Sequence, residues 1–196
     1  MTSRAPTGAA VLQSRVTGAI TEAVLAEWTE KGYARMSMEA VARRAGVGKS
    51  ALYRRWESKQ QMALAVLDEL HVAAVVVPDT GSLEGDLHGL MTAMQTWLDY
   101  PRIVPIMADL VAETTRDPEL SHAVETLARA PYRAQAYEIF DRAHARGELH
   151  ADVDREVVVE LIASIVFWRN IVRGEPTTEE YRRNAITTIG RGCSAG

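Results

Sequence analysis

The sequence predicts an all-α homodimer of about nine helices per chain, in which a three-helix head precedes a longer helical bundle. Three observations support this class. Apolar residues recur at helical spacing through most of the 196 residues, and no stretch alternates as a half-buried strand does. Turn-forming residues punctuate those stretches, at Gly32, Gly46, Pro78, Pro101, Pro118 and Gly147. Charge is divided between the two parts. Residues 1–60 carry 10 Lys and Arg against 5 Asp and Glu, a balance of +5, while residues 61–196 carry 12 against 21, a balance of −9, within a net −4. A basic first third on an acidic body suits a head that meets phosphates and a body that phosphates repel.

Residues 1–10 (MTSRAPTGAA) lack apolar periodicity and are expected to form a disordered arm, with Arg4 free to enter a minor groove or to remain in solvent. The head spans 11–60. Its first helix, from about Val11 to Lys31, turns Leu12, Val16, Ile20, Ala23 and Val24 inward, and Gly32 ends it. Ser37 caps the second helix, Glu39 suits the positive end of its dipole, and Val41, Ala42 and Ala45 make a small inward face. Gly46 stops that helix where a left-handed backbone is cheap only for glycine. Val47 fills the angle before a third helix over about Lys49–Trp56. Two short helices on a glycine-containing turn make a helix-turn-helix.

Leu52 and Trp56, four apart, define the inner face of the third helix. At about 100° per residue, Ser50 and Arg54 then point away, Tyr53 and Arg55 flank them, and Lys49 projects from the start. That surface offers donors for base edges and cations for phosphates, as a helix in a DNA major groove requires. Arg54 enters the expected surface on rotation alone, and Arg44 is placed on adjoining phosphates. Lys59, at the start of the next helix, suits a phosphate. The segment resembles the DNA-binding motif of the tetracycline-repressor-like (TetR) family, through Ser37, Val41-Ala42, Ala45-Gly46-Val47, Leu52-Tyr53, Trp56 and Ser58-Lys59, with Lys31-Gly32-Tyr33 before it. The resemblance covers about the first 70 residues. It implies a DNA-binding transcription regulator whose contacts fall at Ser37, Lys49, Ser50, Tyr53, Arg55 and Lys59. Two positions depart from the family pattern: Gly48 stands where a serine cap is usual, and Ser50-Ala51 replaces Gly-Thr.

A linking helix over 61–77 opens with the capping box Ser58 to Gln61 and carries Met62, Val66, Leu67, Leu70 and Ala74 inward until Pro78. The body, 78–190, begins with the turn Pro78–Ser82. Ser82 starts a helix with Leu83, Leu87, Leu90, Met91, Met94 and Trp97 inward, and Tyr100-Pro101 breaks it. A helix over about Arg102–Arg116 follows. Asp117-Pro118-Glu119 starts the next, which runs to Arg146 with a kink or division at Pro131. Asp154 caps an eighth helix that is apolar nearly all round, so one side should meet its own core and the other a second copy. Thr177 to Glu180 reads as a capping box for the last helix. The subunit seam is expected at Ile162, Ile165, Val166, Ile186 and Ile189. The tail 191–196, with the lone Cys193, is expected to fray.

Other chemistries lack a basis. Gly48-Lys49-Ser50 resembles the end of a phosphate loop but has Arg43 where glycine is needed and a helix where a strand is needed. The five histidines form no i, i+4 pair, so neither metal nor cofactor is expected. No apolar run is long enough for a bilayer and no leader begins the chain, which points to a cytoplasmic protein with no membrane partner. An effector cavity of at least roughly 300 Å³ is expected in the body, lined by Met91, Met94, Trp97, Met107, Val111, Tyr137 and Trp168, with Arg169 or Glu113 for a charged ligand. The family bodies commonly bind small effectors. The expectation is thus a non-enzymatic regulator, a repressor released from a palindromic duplex operator by a small apolar or aromatic molecule. The alternatives are a small helical enzyme with a relic head, and a helix-turn-helix that only recruits protein.

Overall fold

The computed structural model describes residues 8–74, 79–150 and 152–193, apart from the side chains at 8–14, 71–74, 127, 128 and 131. Within them lie ten α-helices and no strand: α1 (Gly8–Lys31), α2 (Met38–Ala45), α3 (Lys49–Tyr53), α4 (Lys59–Ala74), α5 (Leu83–Leu98), α6 (Ile103–Thr114), α7 (Pro118–Val124), α8 (Ala130–Ala145), α9 (Arg155–Phe167) and α10 (Glu179–Cys193). Helix α1 starts at Gly8, so it takes up the last three residues of the expected arm. Arg4 and the rest of 1–7 lie outside the described residues, as do the side chains of Leu12 and Ala74.

The head forms because three short apolar faces converge. Ile20, Val24, Leu25 and Trp28 of α1, Val41 of α2 and Leu52 of α3 are all at most 1 % exposed. Leu25 and Trp28 widen the stripe beyond the residues that spacing had selected. The head is tied to the body through Asp109 on α6. Its carboxylate accepts from Trp28 Nε1 at 2.7 Å and from the Tyr33 amide at 2.8 Å. Gly32 supplies the left-handed turn beside it, with φ at +76°.

The helix expected over 117–146 is divided just before Pro131, in keeping with the kink or division that proline predicts. Asp117 does cap α7, accepting from the Leu120 amide at 3.0 Å with Pro118 in the first turn. A π turn over Glu125–Arg129 then separates α7 from α8, and Pro131 falls at the start of α8. Proline there cannot donate and its ring crowds the preceding turn, so widening that turn removes the clash without breaking the rod. This division raises the helix count from about nine to ten.

A second π turn, Trp168–Val172, follows α9. It turns Asn170 into the core, where Asn170 and Gln95 of α5 exchange amide hydrogen bonds at 3.0 Å each. The Thr177 amide and hydroxyl both donate to Gln95 Oε1, at 2.8 and 2.5 Å. Thr177 is therefore not the cap of α10. Its hydroxyl is used inside, and Thr178 Oγ1 accepts from the Tyr181 amide at 3.2 Å instead. Nor is Cys193 a free tail thiol. Helix α10 runs through it, its side chain is buried, and its carbonyl accepts from the His150 amide at 2.8 Å. Burial pushes the thiol pKa up, which makes Cys193 a small apolar core residue, unreactive as a nucleophile.

Candidate nucleic-acid interface, body cavity and subunit seam

Helices α2 and α3 meet as the sequence proposes. Ser37 Oγ accepts from the Ala40 amide at 3.2 Å, and Gly46 closes α2 at φ +67° with the Val47 amide donating back to Ala42 at 3.0 Å. Gly48 caps α3 with no side chain to contribute. Helix α3 is shorter than expected, ending at Tyr53. The Arg55 and Trp56 amides both donate to the Leu52 carbonyl at 2.9 Å, which swings Trp56 inward before Ser58 opens α4. The capping of α4 is shifted by one residue: Ser58 Oγ accepts from the Gln61 amide at 3.1 Å, but Gln61 Oε1 accepts from Glu57 rather than from Ser58.

The candidate DNA residues fall into two groups. Lys49, Ser50, Tyr53, Arg54 and Arg55 are exposed on one surface of the head. Among the described residues, the side chains of Ser50 and Arg54 have no hydrogen-bond or ionic partner. Lys49 pairs with Glu39 of α2, and the Tyr53 hydroxyl donates to the same Glu39 oxygen at 3.2 Å. Those contacts and the α2 backbone hold the Glu39 carboxyl below its usual range, and Lys49 is correspondingly raised. Arg55 donates to Thr17 Oγ1 at 3.2 Å. The other two cations are committed inside the head. Arg44 turns toward α1, where it donates twice to Glu30, at 2.7 and 2.5 Å, and sits 3.1 Å from Glu27. Its expected phosphate contact is thus already occupied by carboxylates. Lys59 donates to the carbonyls of Tyr33 and Ala34 at 2.7 and 3.2 Å and lies over the Tyr33 ring at 4.3 Å. Burial lowers its pKa, and one of its three donors remains for a phosphate.

The body contains a largely apolar cavity of about 230 Å³, smaller than the expected minimum, between α4, α5, α6, α7, the first π turn, α8 and α9. Met94, Trp97, Met107 and Val111 line it as expected, joined by Leu64, Leu110, Thr114 and Tyr132 and by two charged residues, Asp68 and Arg129. Three expected lining residues are elsewhere. Met91 is fully buried in the core. Tyr137 does not line it: Tyr132, five residues earlier and about 140° round α8, does. Trp168 follows the inward Val166 by two residues, about 200° round the helix, and is 58 % exposed on the outside. Arg169 and Glu113 do not reach the cavity either. Arg169 pairs with Glu175 at 2.8 Å and stacks on Tyr181, and Glu113 lies 3.8 Å from Arg116.

The outer face of α9 and of the π turn that follows it carries Val157, Leu161, Trp168 and Val172, exposed by 47 to 58 % and spaced along one stripe, with Phe167 beside them. Around Leu161, Ser164, Ile165, Trp168 and Tyr181 this face is a shallow groove. The seam expectation is corrected in rotation. Ile162, Val166 and Ile186 are 0 % exposed in the protomer's own core and cannot line a contact with a second copy, whereas Ile165 and Ile189 are partly exposed. No helix of the described residues is long and apolar enough to cross a membrane.

Comparison with known proteins agrees with this geometry. The profile for "Bacterial regulatory proteins, tetR family" matches residues 20–66, and that for "Tetracyclin repressor-like, C-terminal domain" matches residues 77–189. The chain is 31 % identical over 154 residues to the DNA-binding transcriptional repressor TetR of Mycobacteroides abscessus, covering 76 % of this chain and 78 % of that one. It is 27 % identical to the HTH-type transcriptional regulator YdeS of Bacillus subtilis, over 85 % of this chain and 83 % of the other. The crystal structure of the TetR family transcription regulator SCO0332 superposes with a TM-score of 0.70 at 28 % identity, over 90 % of this chain and 97 % of that one.

Proposed function

The chain belongs to the TetR family of helix-turn-helix transcriptional regulators, and from there we propose that it is a cytoplasmic repressor that leaves a palindromic operator when a small apolar or aromatic effector enters its body. Lys49, Ser50, Tyr53 and Arg54 face base edges, while Ser37, Arg55 and the free donor of Lys59 hold the backbone. The observation that carries this reading is the exposed surface of α3, where Ser50 and Arg54 stand unpaired beside three further donors. Two copies joined through the outer face of α9 and through α10 present two such surfaces, so the half-sites lie about one helical turn (~34 Å) or a multiple apart.

The cavity suits a ligand of one or two rings. A cavity of about 150 Å³ already holds benzene, and the 230 Å³ here is below the range of roughly 300–1,000 Å³ typical for drug-sized ligands. Methionines adapt to its shape and Trp97 offers a flat face. Release requires that the ligand prefer a conformation whose α3 helices are mis-spaced for DNA, since a ligand indifferent to conformation shifts nothing. The test begins with selection of bound sequences from random duplex DNA, followed by anisotropy titration. A thermal-shift screen of small aromatic compounds and operator release then follow. The expected result is a palindrome whose binding falls with the hit compound, and whose presence weakens compound binding by the same factor. Enrichment of no sequence would end the reading.

A further inference from the structure

Within α2 and α3 the one acidic side chain is Glu39, and its carboxylate is not idle. It lies exposed on α2, receives Lys49 from the start of α3 and accepts from the Tyr53 hydroxyl at 3.2 Å. A carboxylate beside phosphates is repelled, so its presence lowers affinity for every sequence. Its place in the first turn of α2 suits the helix dipole, and a hydrogen bond from a base would offset that repulsion. The major-groove edge of a G·C pair presents two acceptors, guanine N7 and O6, beside one donor, cytosine N4. An ammonium and a carboxylate held side by side present the complement: Lys49 donates to the guanine, Glu39 accepts from the cytosine, and Tyr53 fixes the carboxylate's orientation. An A·T pair is a poorer match, because thymine O4 and its methyl group would face the Glu39 oxygens.

Resting on the DNA-binding reading above, we propose that Glu39 and Lys49 act as a couple that reads one G·C pair in each half-site, Glu39 being the specificity-determining member. Both side chains are exposed, so substitutions need not disturb the head. The experiment is sequence selection from random duplex DNA with the full-length wild type, Glu39→Ala, Glu39→Gln and Lys49→Ala, each followed by titration on the selected site and on its G·C→A·T variant. Wild type should prefer G·C at one position per half-site by about 5- to 150-fold, the range of one good base contact. Glu39→Ala should bring that preference below about threefold while strengthening binding to unrelated DNA, as expected when a like charge leaves the phosphates. Glu39→Gln should move the same position toward T·A, with adenine in place of the cytosine that Glu39 faces, since glutamine pairs with adenine N6 and N7. A residue that merely restrains Lys49 would give no such switch. If wild type selects a palindrome and Glu39→Ala and Glu39→Gln keep its G·C preference unchanged, the inference falls and the DNA-binding reading stands. If wild type selects nothing, both fall.

Discussion

The outer surface of α3 and the outer surface of α9 are both exposed and both unsatisfied, but in opposite ways. On the head, charged and polar groups stand open to solvent: Ser50 and Arg54 are unpaired, Lys49 lies beside Glu39, and Lys59 keeps one donor beyond two carbonyls. On α9 and the π turn after it, Val157, Leu161, Trp168 and Val172 stand about half exposed, with a fully bonded polar network behind them at Gln95, Asn170 and Thr177. A charged face contributes through many weak contacts that salt screens, each adjustable alone. An apolar face contributes through area, and one misplaced charge spoils it. The first is suited to a contact made and broken, the second to one kept.

Adjacent residues on α9 break this comparison most sharply. Leu161→Glu puts a charge on the outer stripe, where a lone chain leaves it in water, but a dimer would bury it unpaired at a cost of about 3–5 kcal/mol. The chain should remain folded by circular dichroism and sediment as a monomer. Ile162→Glu puts the same charge into the protomer's own core, where Ile162 is 0 % exposed. That variant should fail to fold. If Leu161→Glu sedimented as a dimer at micromolar concentration, the α9 face would not be the seam.

That pair of neighbours also shows what could be read from the sequence and what could not. The head was legible because its signals are local: Ser37 at a cap, Gly46 in a left-handed turn, Leu52 inward with Ser50 and Arg54 opposite. The all-round apolarity of α9 announced two buried sides, but not which residues face which, because valine and isoleucine are chemically alike on both. The two π turns were invisible for a similar reason. Each inserts one residue into a continuous helical pattern that looks the same in composition with or without it. Partners distant in sequence, such as Asp109 with Trp28, 81 residues away, left no spacing to read.

Asp109 tests a smaller difference between the regions, namely how firmly the head is fixed to the helix that lines the cavity. Met107, Leu110 and Val111 of α6 face the cavity while Asp109 holds Trp28 and the Tyr33 amide. Asp109→Ala leaves two N–H groups without their acceptor, at about 1–3 kcal/mol. Thermal unfolding should begin earlier, with the head's transition separating from the body's, and operator affinity should fall without a change in the selected sequence. A single, unshifted transition would mean that the carboxylate carries no coupling.

The smallest expected effect distinguishes cations that meet phosphates from cations that meet carboxylates, and salt dependence reads it directly. The slope of log affinity against log salt counts phosphates neutralised, at about 0.9 per contact on duplex DNA. Lys59 keeps one donor and its charge beyond the Tyr33 and Ala34 carbonyls, so Lys59→Ala should weaken binding to all sequences alike and flatten the slope by about one unit. Arg44 sits between Glu27 and Glu30, and its guanidinium already neutralises protein charge. Arg44→Gln should therefore lower affinity through the two carboxylates it uncovers and leave the slope unchanged. Titrations of both variants on one selected duplex across a salt series supply the measurement. If the slopes came out reversed, with Arg44 counting as a phosphate contact and Lys59 not, then DNA would have drawn Arg44 away from Glu30, and the ion pairs of the free head would be a resting arrangement that binding rebuilds.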